Sequence, residues 1–305
     1  MKTSDIIELG SKHLSKMAGH ELDVLTLTKP VSAGAAIDLS KVISKLSPLL
    51  GNMIEFNTVE YLNREKIFHD YGIWRRQDPG FPDAVFDGNI QPTPGFEIKA
   101  WFPLATEITA RFKDSQNHFK DDQTYVAMLA WLPEHLLFGK PHIVDVCIVS
   151  GLSVAKARDD HYHNAPDYIV LEPEDTSDRT RNLQQTNTNG YKFQGTAEQL
   201  AEAKALARTW GDDWHVYKPS RDYQDKLRQL IAKYPYRLDT NFAKMDRIVH
   251  PGIEEFKKQV LEKKIKNYSI QEWIKILTKS PEDELINILK ESLDITEVST
   301  GSIVV

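Results

Sequence analysis

Two apolar runs constrain this chain more than anything else in it: Tyr125–Leu132, YVAMLAWL, and His142–Val149, HIVDVCIV. Each is rich in β-formers and is bounded by Pro or Gly. Short runs of this kind read as buried central strands, covered on both faces. Strands buried in that way need helices to cover them, so the expected class is α/β with a central mixed sheet flanked by helices.

The remaining chain supplies the covering elements. Ser4 precedes IIELGSKHLSKM, where Ile6, Ile7, Leu14 and Met17 fall at loosely helical spacing. A second stretch, DLSKVISKLSPLLGNMIEFNTVEYLN, puts Val42, Ile43, Leu46, Leu49 and Leu50 on one apolar stripe, which Pro48 breaks or restarts as a new helix. Tyr71–Gly95 is full of Pro, Gly, Asp and Asn and reads as loops around a strand or hairpin. Gly95–Phe102 alternates as a strand does, and Leu104–Phe119 reads as an amphipathic helix. Another strand is expected at Tyr168–Leu171, with helices at 197–209 and 223–233. Near the end, Ser269 and Glu272 have capping-box spacing before WIKIL, and Ser280-Pro281-Glu282-Asp283 opens a further helix. The tail helices Ile253–Ile265 and Ile270–Leu277 carry apolar stripes that either form an interface or pack on the core. The expected organisation is a helical N-terminal region and α/β core within 1–250, with a helical C-terminal appendage over 251–305.

Composition narrows the function. Of 305 residues 41% are hydrophobic and 27% charged, enough apolar material for a core. No stretch reaches the roughly 18 apolar residues of a membrane helix. The N-terminus lacks the apolar segment and cleavage site of a secretory signal, so a cytoplasmic location and no membrane partner are expected. Cys147, the single cysteine, excludes an intrachain disulfide and a cysteine-built zinc site; mid-strand, it reads as a buried, inert thiol. The net charge of −6 neither indicates nor excludes a nucleic-acid partner. Between Arg179 and Arg247, however, thirteen Lys and Arg face eight Asp and Glu, so the middle of the chain is its more basic part. Glycine-rich phosphate loops are absent.

The chemistry concentrates in FPDAVFDG, NIQPTPG and FEIKAWFP. On a strand, Glu97 and Lys99 project to one side and Ile98 to the other. If the Asp83 segment is the neighbouring strand, two carboxylates and an ammonium converge. Two hard oxygen ligands leave most of an octahedral Mg²⁺ shell for water and phosphate oxygens. Such an ion activates water against a phosphodiester, and a lysine can orient that water or stabilise developing charge. The plainer reading makes Asp83 a turn residue, with Glu97 and Lys99 on a solvated strand face.

Pro82-Asp83 followed by Glu97-Ile98-Lys99 resembles the PD-(D/E)XK nuclease superfamily, particularly the type II restriction endonucleases. The resemblance covers about residues 45–150, whose expected order (helix, strands, helix, strands) is similar to the family core. It implies a restriction-endonuclease-like fold and a Mg²⁺-dependent, sequence-specific double-stranded DNA endonuclease belonging to a restriction–modification system. Asp83 and Glu97 are then the metal ligands and Lys99 the assistant to the attacking water. Members often add an acidic residue from the preceding helix in a Gly-x-x-x-Glu pattern, which Gly51-Asn-Met-Ile-Glu55 matches. Glu60 competes for that role, and Asp87 is a second candidate ligand. The resemblance also implies a homodimer on palindromic sites.

For DNA recognition the candidates are Arg179, Arg181, Asn182, Gln184, Gln185, Asn187, Asn189, Tyr191 and Lys192. Arg suits guanine, Asn and Gln suit adenine, and Lys suits phosphate. A polar surface loop is the equal alternative. Arg111, Lys113, Ser115 and Gln116 would lie on the helix after Lys99, as backbone contacts or as a solvated face. His161 and His163 share a face if extended, as a zinc or HNH-type site requires, though a polar loop is the default. Trp131, Trp210, Trp214 and Trp273 read as packing residues. The competing functions are a repair, recombination or structure-selective nuclease of the same fold, and a non-catalytic DNA-binding protein with structural carboxylates.

Overall fold

The YVAMLAWL run forms the spine of the molecule. In the computed structural model, which describes residues 1–77, 80–105, 107–162, 192–214, 220–237 and 243–295, it lies in strand β4 (Thr124–Pro133). Every side chain from Val126 to Leu132 is fully buried, so β4 is covered on both faces. The chain forms two units: Met1–Ile108, Val126–Ile148 and Gly252–Val305 make the first, Thr109–Tyr125 and Val149–Pro251 the second.

The first unit is α/β, built on a five-stranded mixed sheet in the order β1-β2-β3-β4-β5. Strands β1 (Gly72–Arg76), β2 (Ala84–Gly88) and β3 (Gly95–Trp101) are antiparallel, with Trp74 opposite Phe86 and Ala84 opposite Phe96. The HIVDVCIV run forms β5 (Pro141–Ser150) but is not central. It is an edge strand and most of its side chains are only partly buried. An apolar run shows that a strand seeks cover; it does not show how many strands flank it. Cys147 is accordingly half-buried, its thiol near the Gly252 carbonyl at 3.6 Å, and burial pushes it up to about 11, an unreactive value.

Helices α1 (Thr3–Ser15), α2 (Ala33–Val42) and α3 (Ser47–Asn63) precede the sheet, Pro48 standing in the first turn of α3 where its missing N–H costs nothing. The stripe expected there is split: Ile43 and Leu50 are buried, Val42 and Leu49 exposed. One face of the sheet is aromatic. Trp74 meets Phe86 at 5.2 Å, Phe96 at 5.1 Å and Phe68 at 5.8 Å between ring centroids. Gly10 lets α1 lie directly on this cluster, since a Cβ there would stand 2.8 Å from the Phe96 ring. On the opposite face Trp101 packs edge-on against Phe256 of α7 (Pro251–Glu262).

Helices α8 (Ile270–Lys279) and α9 (Glu282–Leu293) follow. Ser269 Oγ accepts from the Glu272 N–H at 3.2 Å while the Ser269 N–H donates to Glu272 Oε2 at 2.7 Å, the capping box read from the sequence. Their apolar stripes pack inside the unit. Trp273, Leu285, Leu289 and Leu293 share a core with Ala36 and Leu136–Phe138.

The second unit holds α4 (Gly151–Tyr162), α5 (Ala197–Arg208), α6 (Arg221–Lys233) and the short pair Lys192–Phe193 with Tyr236–Arg237. Trp210 and Trp214 pack against its core of Phe193, Ala203, Ala207, Leu230 and Tyr234. Its polar centre is Arg158, which donates to the Phe112 and Asp114 carbonyls, to Asp159 and to Tyr236; Gln116 and the Tyr236 hydroxyl donate to Asp159. Burial pushes the Tyr236 phenol well above its usual range.

Leu104–Phe119 is not a helix. Only Gln116–His118 makes a 3₁₀ turn, and the backbone at Ala110–Phe112 bonds to Ala243–Met245 instead of to itself: Phe112 N–H to the Ala243 carbonyl at 2.8 Å, Met245 N–H to the Ala110 carbonyl at 2.8 Å. Buried Ile108, Phe112 and Phe119 gave helical spacing, but a partner far along the chain took the hydrogen bonds.

Replacing Trp74, which touches three other rings, tests the helix–sheet packing. Trp74→Ala lowers the unfolding free energy by about 3–5 kcal/mol in urea titrations. A loss below about 1 kcal/mol would show that the aromatic cluster carries little of it.

Candidate active site

Asp83 stands immediately before β2, and continuing the β2–β3 register puts it opposite Glu97. Its placement depends on Gly95. A Cβ at Gly95 would stand 2.4 Å from Pro82 Cγ, so only glycine lets the Pro82-Asp83 segment lie against β3. The two ends are then stitched together. The Asp83 N–H donates to Glu97 Oε2 at 3.2 Å, and Asp83 Oδ2 accepts the Ile98 N–H at 2.7 Å.

Lys99 completes the group, its Nζ bonding to Asp83 Oδ2 at 3.4 Å and more tightly to Glu97 Oε1. The side chains are nearly enclosed, with 13% of Lys99, 17% of Asp83 and 9% of Glu97 exposed. Ile98 points into the opposite, apolar face and is buried. Asp83, Glu97 and Lys99 therefore meet as the sequence suggested, and not on a solvated strand face. Burial opposes the charge on Lys99, but Glu97 and Asp83 outweigh it and raise the ammonium above its usual range. Paired in this way, Lys99 is held as an ammonium.

Glu55 approaches from α3, which comes close to β3 where Gly51 faces Ala100. Its Oε1 accepts the Arg76 Nε–H at 2.7 Å. Burial and then the charge of Asp83 push the Glu55 carboxyl upward, while Arg76 and Lys99 pull it back. Glu55 thus lies within electrostatic reach of the group. Glu60 does not share its position: it is exposed, on another face of α3. Asp87 is also elsewhere, four residues along β2, about 13 Å, and bound to Arg75 at 2.5 Å. The alternation of a strand gave it the right face but the wrong place.

Arg76 was missed from the sequence, because Tyr71–Gly95 read mostly as loop. The β1 alternation of exposed Ile73, buried Trp74 and exposed Arg75 was the available signal.

Arg179, Arg181, Asn182, Gln184, Gln185, Asn187, Asn189 and Tyr191 lie outside the described residues, as do His163 and the strand expected at Tyr168–Leu171. Lys192 is described in its backbone, which pairs with Arg237. His161 belongs to helix α4, so the extended geometry considered for a His161–His163 site is not present there. On the mostly irregular segment after Lys99, Ser115 is buried and caps Asn117, Gln116 binds Asp159, and Arg111 bridges to Lys244 through the backbone.

Among the described residues no three His, Cys, Asp or Glu side chains gather as a ready metal cage. The site nonetheless suits one hard cation. Lys99 bonds to both carboxylates, and Asp83 Oδ1 takes no hydrogen bond from a described residue. Mg²⁺ keeps most of its shell as water or phosphate oxygen and needs no fuller cage. Comparison with known protein families, curated proteins and solved structures finds no match for this chain.

Lys99→Ala leaves two nearly enclosed carboxylates without their cation and lowers the unfolding free energy by about 3 kcal/mol at pH 7. Protonating the two carboxyls removes the unpaired charge, so the loss is expected to shrink as the pH is lowered from 7 toward 4. Urea unfolding of both proteins at the two pH values checks this. A loss that ignored pH would deny the charge pairing.

Proposed function

We propose that this chain is a Mg²⁺-dependent, sequence-specific double-stranded DNA endonuclease with a restriction-endonuclease-like core, similar to the type II restriction enzymes. The observation that carries the reading is the convergence of Asp83, Glu97 and Lys99 at the adjoining ends of two antiparallel strands. A structural role for these charges is the weaker account, because burying three ionisable groups is costly where apolar residues would serve.

Asp83 and Glu97 would hold the ion. When bound, it supplies Lewis-acid polarisation of the phosphodiester and a water acidic enough to attack phosphorus. The protein's own groups do the rest. The Ile98 N–H and the Asp83 N–H fix the two carboxylates, so they need no rearrangement. Lys99, as an ammonium, would donate toward the phosphate oxygens as negative charge builds on them. Glu55, at the edge of the group, orients water. Action as a homodimer on a palindromic site, within a restriction–modification system, follows from the resemblance, because a two-fold protein matches a two-fold duplex.

Purified protein is incubated with mixed plasmid and phage DNA, with Mg²⁺ or with EDTA. Discrete fragments that need Mg²⁺ are expected. A smear would move the reading to a structure-selective or non-specific nuclease. Intact DNA under all conditions would leave a DNA-binding protein with structural carboxylates. Glu97→Gln is expected to reduce cleavage by about 10²-fold or more while duplex binding in Ca²⁺ persists.

A further inference from the structure

Helix α3 is apolar on two sides. Leu50, Ile54, Thr58 and Tyr61 are buried, as packing in the first unit requires, yet Leu49, Met53 and Phe56 on the opposite side are 57%, 38% and 51% exposed. Their spacing, i, i+4 and i+7, sets the three within about 60° of one another around the axis, in one stripe. Single exposed apolar residues are ordinary, but a helix apolar on both faces is one that is normally covered on both. Charges stand at either end of the stripe. Lys45, in the 3₁₀ turn Ile43–Leu46 that runs into α3, comes about one turn before Leu49, and Glu60 comes about one turn after Phe56. Both are exposed, and neither forms an ion pair with a described residue.

We propose that this stripe is the contact through which two copies of the chain pair, their α3 helices antiparallel about a two-fold axis at Asn52–Met53. The inference rests on the homodimer of the reading above and names its surface. The occupant follows from symmetry. A two-fold contact is self-complementary, so each residue meets the one that lies equally far on the other side of the axis. Counted outward from the Asn52–Met53 junction, Leu49 meets Phe56 of the second copy, Met53 meets Asn52, and Lys45 meets Glu60. Apolar side chains thus fall at the centre, and a lysine faces a glutamate at both ends. A parallel pair would set lysine on lysine and glutamate on glutamate, which is unfavourable. An unrelated partner would not need a cation and an anion equally far from the apolar centre. Glu55 lies off the stripe and bonds to Arg76 of β1, so pairing through α3 does not call on it. One helix face offers less than the roughly 800 Å² per partner of a standard interface, so the dimer is reversible, with a dissociation constant of about 1–100 µM.

Sedimentation equilibrium of the full-length chain, without DNA or metal, tests this apart from cleavage. Wild type is expected to dimerise reversibly. A monomer throughout that concentration range would overturn the inference and leave the metal-dependent chemistry standing. Met53→Glu and Phe56→Glu, at exposed positions, are expected to keep the wild-type melting temperature and to weaken pairing roughly thirtyfold or more. Lys45→Glu and Glu60→Lys each set like charges together at both ends, and each alone is expected to weaken pairing about tenfold at low salt. Mixed in equal amounts, these two variants regain opposite charges at both ends, and wild-type affinity should return. A dimer unmoved by glutamate at position 53 or 56 would place the contact elsewhere and overturn the inference. Charge swaps without effect, or without mutual rescue, would overturn the antiparallel register. The swaps decide alone if a glutamate variant fails to fold, because both change solvated side chains.

Discussion

An ammonium shared by two carboxylates, at the point where β2 begins and β3 passes it, is the interaction on which the rest of the site depends. Lys99 cannot leave without exposing Asp83 and Glu97 to each other in a nearly enclosed place, and losing either carboxylate takes away one of the ammonium's partners. The backbone commits to the same arrangement through the Ile98 and Asp83 N–H groups, so strand pairing and charge pairing support one another. Groups held in this way are preorganised. That is what transition-state stabilisation requires and what a solvated cluster cannot offer.

Burial makes such a group tolerable. Behind Glu97 and Lys99 the sheet is apolar: Phe96 and Ile98 face the aromatic cluster under α1, and β4 is buried along its whole apolar run. A rigid sheet holds two strand ends in fixed relation, whereas a loop would leave them to drift. Gly95 is the small residue that permits the closest approach, against Pro82. Charge and packing thus meet at one strand, with Gly95 admitting the segment and Glu97 and Lys99 fastening it.

The Glu55–Arg76 pair shows how neighbouring elements adjust such a site. Helix α3 brings a carboxylate whose burial and whose neighbour Asp83 both favour protonation, and β1 brings the guanidinium that opposes them. The balance follows from three elements far apart in the chain. In the second unit Arg158 plays a different part: its donors go to two carbonyls, a carboxylate and a phenol, which ties helix α4 to the irregular segment at Phe112–Asp114. These bonds give the donors of a fully buried arginine their partners.

Local chemistry made much of this legible. Ser269 and Glu272 cap a helix because their side chains reach backbone groups three residues away, and YVAMLAWL is a buried strand because nothing else shelters eight such residues. Glu97 and Lys99 share a face because strands alternate. Distant partners decided the rest. Leu104–Phe119 has helical spacing, but Ala243 and Met245 take its hydrogen bonds; HIVDVCIV is as apolar as a central strand, but it is the last strand of its sheet, and residues 19–22 bond only to its first residues. Asp87 lies on the face of Asp83, yet Arg75 holds it, and Arg76 acquired its meaning only when α3 brought Glu55 to it. Sequence alone determined periodicity, capping and the residue types of the site, because these act within a few residues. Which strand lies at the edge, which backbone bonds to which and which charges meet were settled by the tertiary structure, because each depends on a partner that spacing along the chain does not reveal.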